Sequence, residues 1–248
     1  MCNLIFDIMK DPIHNIFYIP PEKVTGNSLI ITGDETHHIR NVLRRKPGDV
    51  LILTDGLGHR IEARILSSVH GEIRAEIVKK EKMDTNPKAI VDLAIAPLKG
   101  TRTDLIIEKG GELGIRRFIF YISLNSVVKD ISKTKIERYQ KIGRSAMLQS
   151  QQYFLPKFDV RATITDLINT FALYDSVLVA DPSGSINIPL DKKKILFIVG
   201  PEGGFDEREL VLFIKAGAQT ISLGALRLRS ETAVLAGIVK ILAVNKII

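Results

Sequence analysis

Two short stretches concentrate residue types that could do chemistry. In "VGPEGGF" (199–205) Gly200, Gly203 and Gly204 surround Glu202, and in "SLGALRLRSETA" (222–233) Arg227, Arg229 and Glu231 crowd a loop-to-helix junction. A carboxylate inside a glycine turn just ahead of a helix has no packing role, which makes Glu202 a candidate for orienting a ligand or moving a proton. Glycines let backbone come close to a flat or extended ligand and leave N–H and C=O groups unobstructed, so a purine would suit this loop. A structural account covers part of the set. The glycines make a strand-to-helix turn, Asp206 with Glu209 has capping-box spacing, and Ser230 can cap a helix carrying Glu231 in its first turn. Arg229 is left over, because a cation at a helix amino terminus opposes the dipole.

These stretches must be held by the ends of strands. From about residue 84 the chain alternates near-continuous apolar strands such as "AIVDLAIAPL" and "KILFIVG" with amphipathic helices, the pattern of a mostly parallel sheet covered on both faces. In open α/β sheets ligands sit at the carboxyl ends of strands, where both stretches fall together with a third, "VADPSG" (179–184). "GPEGGF" lacks the Lys-Ser/Thr of a phosphate-binding loop, and the first strand of this region ends in "APLKGTRTD" without GxGxxG. A triphosphate or dinucleotide ligand is therefore disfavoured.

Residues 1–83 have a different grammar, with period-two alternation in "VLILTDGLGHRIEARIL" and "EIRAEIVKK" that predicts a small β-barrel. The polar stretch "KKEKMDTNPKA" puts a domain junction near residues 82–87, giving domains 1–83 and 84–248. Within the first domain, "GDETHHIRNVLRRKPGD" predicts one helix. Ile39, Val42 and Leu43 fall on one face, with His37, Arg40 and Arg44 opposite and Arg45 and Lys46 at its end. That cluster is either a solvated helix face or a phosphate-tracking patch, and the formal net charge of +7 favours a polyanionic partner. The single cysteine, Cys2, forms no internal disulfide, and the five histidines show no metal-ligand spacing, so no metal is implied. No apolar run is long enough for a membrane span, which with the cysteine usage predicts a cytoplasmic protein beginning at Met1 or Met9.

The two loops occur in order with "HHIRNVLRRKPGD" (37–49), "LKGTRTDLIIEKGGELGI" (98–115), "ERYQKI" and "QSQQYFLP" (149–156). Together these resemble the RsmE-type 16S rRNA uracil-N3 methyltransferases of the SPOUT class over nearly the whole chain. The resemblance implies a PUA-like RNA-binding barrel followed by a knotted SPOUT sheet, S-adenosylmethionine as methyl donor, a homodimer, and small-subunit rRNA as partner. It implies that Ala180, Asp181, Gly200, Pro201, Glu202, Gly203, Leu223, Gly224, Leu226 and Leu228 hold the cofactor. Arg229 would stabilise charge on the uracil carbonyls, with Glu202 and Glu231 orienting it or accepting the N3 proton. His37, Arg40, Arg44, Arg45 and Lys46, with Lys99 and Arg102, would meet RNA phosphates. The chain departs from the family at Leu148, at Gln152 and at "LNS" (124–126), places expected to bear on RNA positioning more than on cofactor binding. A different RNA acceptor and a non-catalytic ribosome-assembly protein are the competing readings.

Overall fold

A computed structural model of the chain describes residues 15–69, 71–83, 89–189 and 191–247. Cys2, Met1, Met9 and positions 84–87 of the expected junction lie outside the described residues. The chain forms two compact units, one of residues 1–85 with 151–154, the other of 86–150 with 155–248.

The first unit contains β1 (Ile16–Tyr18), β2 (Val24–Thr25), β3 (Ser28–Thr32), β4 (Val50–Thr54), β5 (His59–Val69) and β6 (Glu72–Lys82). They form one sheet in the order β1-β4-β5-β6-β3-β2, antiparallel except for β1 beside β4. Alternation decides the buried face: Ile61, Ala63 and Ile65 of β5 and Ile73, Ala75 and Ile77 of β6 join Phe17, Leu29, Ile31 and Leu53 in one core. Two register shifts between β5 and β6, at Glu62/Ala63 and Ile65/Ser67, bend this long pair. The returning segment 151–154 is tied to the turn after β4, where Gly58 N–H and the Thr54 hydroxyl both donate to the Tyr153 carbonyl, at 2.8 and 3.2 Å. A Cβ on Gly58 would lie 2.2 Å from the Phe154 ring, so glycine is required there.

The expected helix at 34–46 is shorter and differently wound. α1 (Asp34–His37) passes into a π-helical turn over His38–Val42, in which Leu43 N–H reaches the His38 carbonyl at 3.0 Å. This wider i→i+5 winding breaks the 3.6-residue phase assumed from the sequence. Ile39 anchors the turn in the core, whereas Val42 is turned outward and 61% exposed. Arg44 falls beyond the helix with φ at +54°. His37, Arg40, Arg44, Arg45 and Lys46 are nonetheless all exposed, as a phosphate-binding patch requires.

The second unit runs β7 (Ile90–Ile95), α2 (Arg102–Glu112), β8 (Arg117–Tyr121), α3 (Lys133–Gln149), β9 (Lys157–Arg161), α4 (Ile164–Ile168), β10 (Ser176–Ser185), β11 (Lys194–Val199), α5 (Glu207–Lys215), β12 (Gln219–Ile221) and α6 (Ser230–Val244). Its sheet order is β12-β10-β11-β7-β8-β9 and every pair is parallel. The apolar runs are continuous because alternate residues enter opposite cores. Leu93, Ile95, Phe118 and Phe197 pack with Ile106 of α2 and Ile238 of α6, while Ala94, Ile119, Leu196 and Ile198 pack with Leu167 of α4 and Phe213 of α5. The order also places the carboxyl ends of β10, β11 and β12 side by side. Along β10 the pairing with Ile221 jumps from Ala180 to Ser185, so residues 181–184 are looped out at that end.

Candidate active site

The three loops singled out in the sequence meet at these strand ends and enclose a cavity of about 560 Å3. All ten residues expected to hold a cofactor line it, from Ala180 and Asp181 through Gly200–Gly203 to Leu223, Gly224, Leu226 and Leu228. Pro182, Phe205, Ala225 and Ala233 line it too and were not singled out, and Gly204, Arg227 and Ser230, noted in the sequence for other reasons, also line it. Phe205 was the recoverable omission, as an aromatic directly behind the glycine pair.

The glycines answer to several constraints. A Cβ on Gly200 would lie 3.1 Å from the Phe205 ring, which is itself set edge-on to Phe213 at 5.6 Å between centroids. A Cβ on Gly203 would lie 3.2 Å from that of Asn125, whose Nδ2 donates to the Gly204 carbonyl at 3.2 Å. Gly204 and Gly224 have open space where a Cβ would go but hold φ at +74° and +133°, conformations that only glycine adopts readily. Asn125 of the "LNS" departure at 124–126 is therefore hydrogen-bonded to the glycine loop, so this departure touches the cofactor loops although it lies outside them in sequence. Of the other departures, Leu148 is half-buried on α3 and Gln152 half-buried in the first unit.

Glu209 holds the loop from below. It completes the predicted capping box with Asp206, accepting from Asp206 N–H at 3.0 Å, and it also accepts from the Ser123 hydroxyl at 2.9 Å and Leu124 N–H at 2.7 Å. The neighbouring Tyr121 hydroxyl donates to the Val199 carbonyl at 2.9 Å, and burial, reinforced by the nearby Glu209 charge, keeps its proton on well above the ordinary tyrosine range. Asp206 is pulled down to about 2 by the Arg208 guanidinium, which marks it as a cap that stays ionised.

At the cavity edge the charged residues pair otherwise than the sequence suggested. Arg102, at the start of α2, lies 3.5 Å from Glu202 and 3.7 Å from Glu231, and Lys99 N–H donates to Glu202 Oε1 at 3.2 Å. Glu202 Oε2 and Glu231 Oε2 are buried with no hydrogen-bond partner among the described residues. Arg229 is exposed and, among the described residues, has no carboxylate within ion-pair distance. It occupies the cap position of α6 in place of Ser230, because the Arg229 carbonyl already accepts from Ala233 N–H at 2.8 Å and the helix starts one residue early. Arg227 is exposed at the cavity, and the Lys99 side chain is exposed next to Gly100. The arrangement offers glycines and apolar walls to a ligand, Glu202 in the lining with Glu231 joined to it through Arg102, and, among the described residues, a cation without an ion-pair partner at Arg229 on the adjacent loop.

A family model described as an RNA methyltransferase domain matches residues 85–242, and one described as an RNA methyltransferase PUA domain matches residues 31–80. The ribosomal RNA small subunit methyltransferase E of Mesomycoplasma hyopneumoniae is 31% identical over 212 residues, which cover 84% of this chain and 90% of that protein. Its namesake in Bacillus subtilis is 31% identical over 217 residues, 82% of this chain and 85% of that one. The crystal structure of a ribosomal RNA small subunit methyltransferase E from Neisseria gonorrhoeae bound to S-adenosyl methionine superposes with a TM-score of 0.83 at 27% identity, covering 94% of this chain and 98% of that chain. Matches that run through both units in sequence and in backbone place this chain in the ribosomal RNA small subunit methyltransferase E family.

Proposed function

We propose that the protein transfers the methyl group of S-adenosylmethionine to N3 of a uridine in the 16S rRNA of the small ribosomal subunit. The observation that carries this reading is the cavity at the ends of β10, β11 and β12, lined by glycines and leucines with Glu202 among them, in a chain of this family. The cavity has a volume suited to a small-molecule cofactor, and among the described residues Arg227 is the one cation in its lining, which leaves a triphosphate without a cation cluster. Gly200, Gly203, Leu223, Gly224, Leu226 and Leu228 would cradle the adenosyl and methionyl parts. The cofactor supplies a methyl group already activated on a sulfonium, so the chain's own residues have only the acceptor to prepare.

Uracil N3 bears a proton and is occupied by pairing in a duplex, so the target is unpaired or extruded when it enters. Glu202 or Glu231 accepts that proton, and Arg229 on the adjoining loop stabilises the negative charge that spreads to the carbonyl oxygens as N3 loses it. The test is incubation of the purified protein with labelled S-adenosylmethionine and unmethylated small subunits, followed by mass mapping of the nucleosides. Label in 3-methyluridine at one position supports the reading, and label in another nucleoside, or none, refutes it.

The exposed cations of the first unit, Arg40, Arg44, Arg45 and Lys46 with His37, hold phosphates without reading sequence, together with Lys99 of the second. Neutralising Arg40 and Arg44 together is expected to make the plot of log affinity against log salt shallower by roughly 1.4–1.8, about 0.7–0.9 per phosphate contact. A filter-binding titration at several salt concentrations measures it, and an unchanged slope removes the patch from the site.

The protein works as a homodimer in the cytoplasm, where its substrate is found. The outward face of α6 supports a subunit contact, since Thr232, Ala236, Val239 and Ala243 recur at helical spacing and are all exposed. Sedimentation is expected to give twice the 27.6 kDa chain mass at micromolar concentration, and a monomer there would overturn the assignment.

A further inference from the structure

Arg102 joins three places far apart in the chain: the amino end of α2, the glycine loop after β11 and the first turn of α6. The segment that carries it is tied down by hydrogen bonds. Thr103 Oγ1 accepts from Leu98 N–H at 2.9 Å, and Asp104 in the same first turn takes a two-pronged contact from Arg138, at 2.7 and 3.3 Å. From the same segment Lys99 N–H reaches the oxygen of Glu202 that faces Arg102. Each carboxylate thus has one oxygen turned to Arg102 and a second that is buried and unpartnered.

From this geometry we infer that Arg102 is a positioning residue for the acceptor side of the site, holding Glu202 and Glu231 as a fixed carboxylate pair, and is not a phosphate contact. This rests on the reading that the pair handles the acceptor proton. Two carboxylates and one guanidinium carry a net charge of −1, which attracts a proton. When the proton leaves N3 and bonds to a carboxylate oxygen, the electron pair stays on the base and the cluster becomes neutral, so no surplus negative charge faces the anionic base. Without Arg102 the same two carboxylates face each other uncompensated and repel, which drives them out of position. Arg102 differs from the exposed cations Arg40 and Arg44 in having two carboxylates within ion-pair distance, which already compensate its charge.

The test uses the full-length protein with S-adenosylmethionine and unmethylated small subunits, and compares R102Q, R102K, E202Q and the R102Q/E202Q pair. R102Q is expected to lower kcat about 100-fold, and R102K to recover to within about 10-fold of the parent, since a point charge still faces both carboxylates. R102Q is expected to leave the salt slope of RNA binding unchanged. It should also lower Tm by about 2–4 °C, with E202Q in that background restoring at least half of the loss. A slope shallower by about 0.7–0.9 with an unmoved Tm would make Arg102 a phosphate contact and overturn the proposal. The melting cycle and the salt slope need no turnover. If the parent protein transfers no methyl group, the functional reading fails while the clamp is still judged by these two readouts. Should R102Q not fold, R102K is taken through the same cycle with E202Q, and absence of coupling there overturns the clamp.

Discussion

Arg229→Ala is expected to lower kcat by about 100- to 1000-fold while leaving the dissociation constant for S-adenosylmethionine within about two-fold of the parent, the pattern produced when a charge acts only on the transition state. The structure gives two reasons. Arg229 has no carboxylate within ion-pair distance among the described residues, so its removal breaks no ion pair that shapes the cavity. It also makes no side-chain cap hydrogen bond at the start of α6, where a cation works against the helix dipole. Melting temperature should therefore be unchanged or slightly higher in the variant. Single-turnover kinetics and calorimetric titration of the cofactor separate the two parameters. Equal losses in turnover and cofactor affinity would make Arg229 a cofactor residue and leave charge stabilisation to Arg227.

This cation pairing was only half legible in the sequence. That the Arg229 side chain makes no cap followed from its being a cation at a helix amino terminus, although its backbone holds the cap position, but the partner of Glu202 and Glu231 did not follow. Arg102 is 100 residues from Glu202 in the chain, and nothing in local spacing shows that α2 starts beside the loops after β11 and β12. The loops themselves were legible because strand ends, glycines and a displaced carboxylate are local signals, and parallel order then brings them together. The fold of the second unit was visible for the same reason: strands buried on both faces read as apolar runs, as in "KILFIV" of β11, whose alternate residues belong to opposite cores. The π-helical turn at His38–Val42 was hidden, since a 3.6-residue wheel presumes the winding it is meant to test, and Val42 is exposed as a result. Segment 151–154 was hidden as well. Its membership of the first unit depends on Tyr153 and Phe154 meeting the turn at Thr54–Gly58, a pairing across about a hundred residues.

Glu209 shows how a correct local reading can still miss a side chain's larger role, and Glu209→Ala is the change expected to affect stability most. As half of a capping box it would matter only to the first turn of α5. In the structure it is 1% exposed and accepts from three donors, two of which, the Ser123 hydroxyl and Leu124 N–H, belong to the segment after β8. Removing it leaves the buried Ser123 hydroxyl and the Leu124 and Asp206 N–H groups without their acceptor, so the loss is expected to be about 2–4 kcal/mol, a fall in Tm on the order of 5–15 °C for a chain of this size. The effect should reach the cavity. The 122–126 segment carries Asn125, which supports Gly203 and Gly204, so cofactor affinity should fall about 10-fold or more although Glu209 does not line the cavity. Asp206→Ala supplies the control, because it removes the other half of the capping box and leaves the tie to Ser123 and Leu124 in place. If Glu209→Ala lowers Tm and cofactor affinity no further than Asp206→Ala does, Glu209 is a cap and nothing more. A distinctly larger loss in both identifies it as the residue that locks the glycine loop to the end of β8.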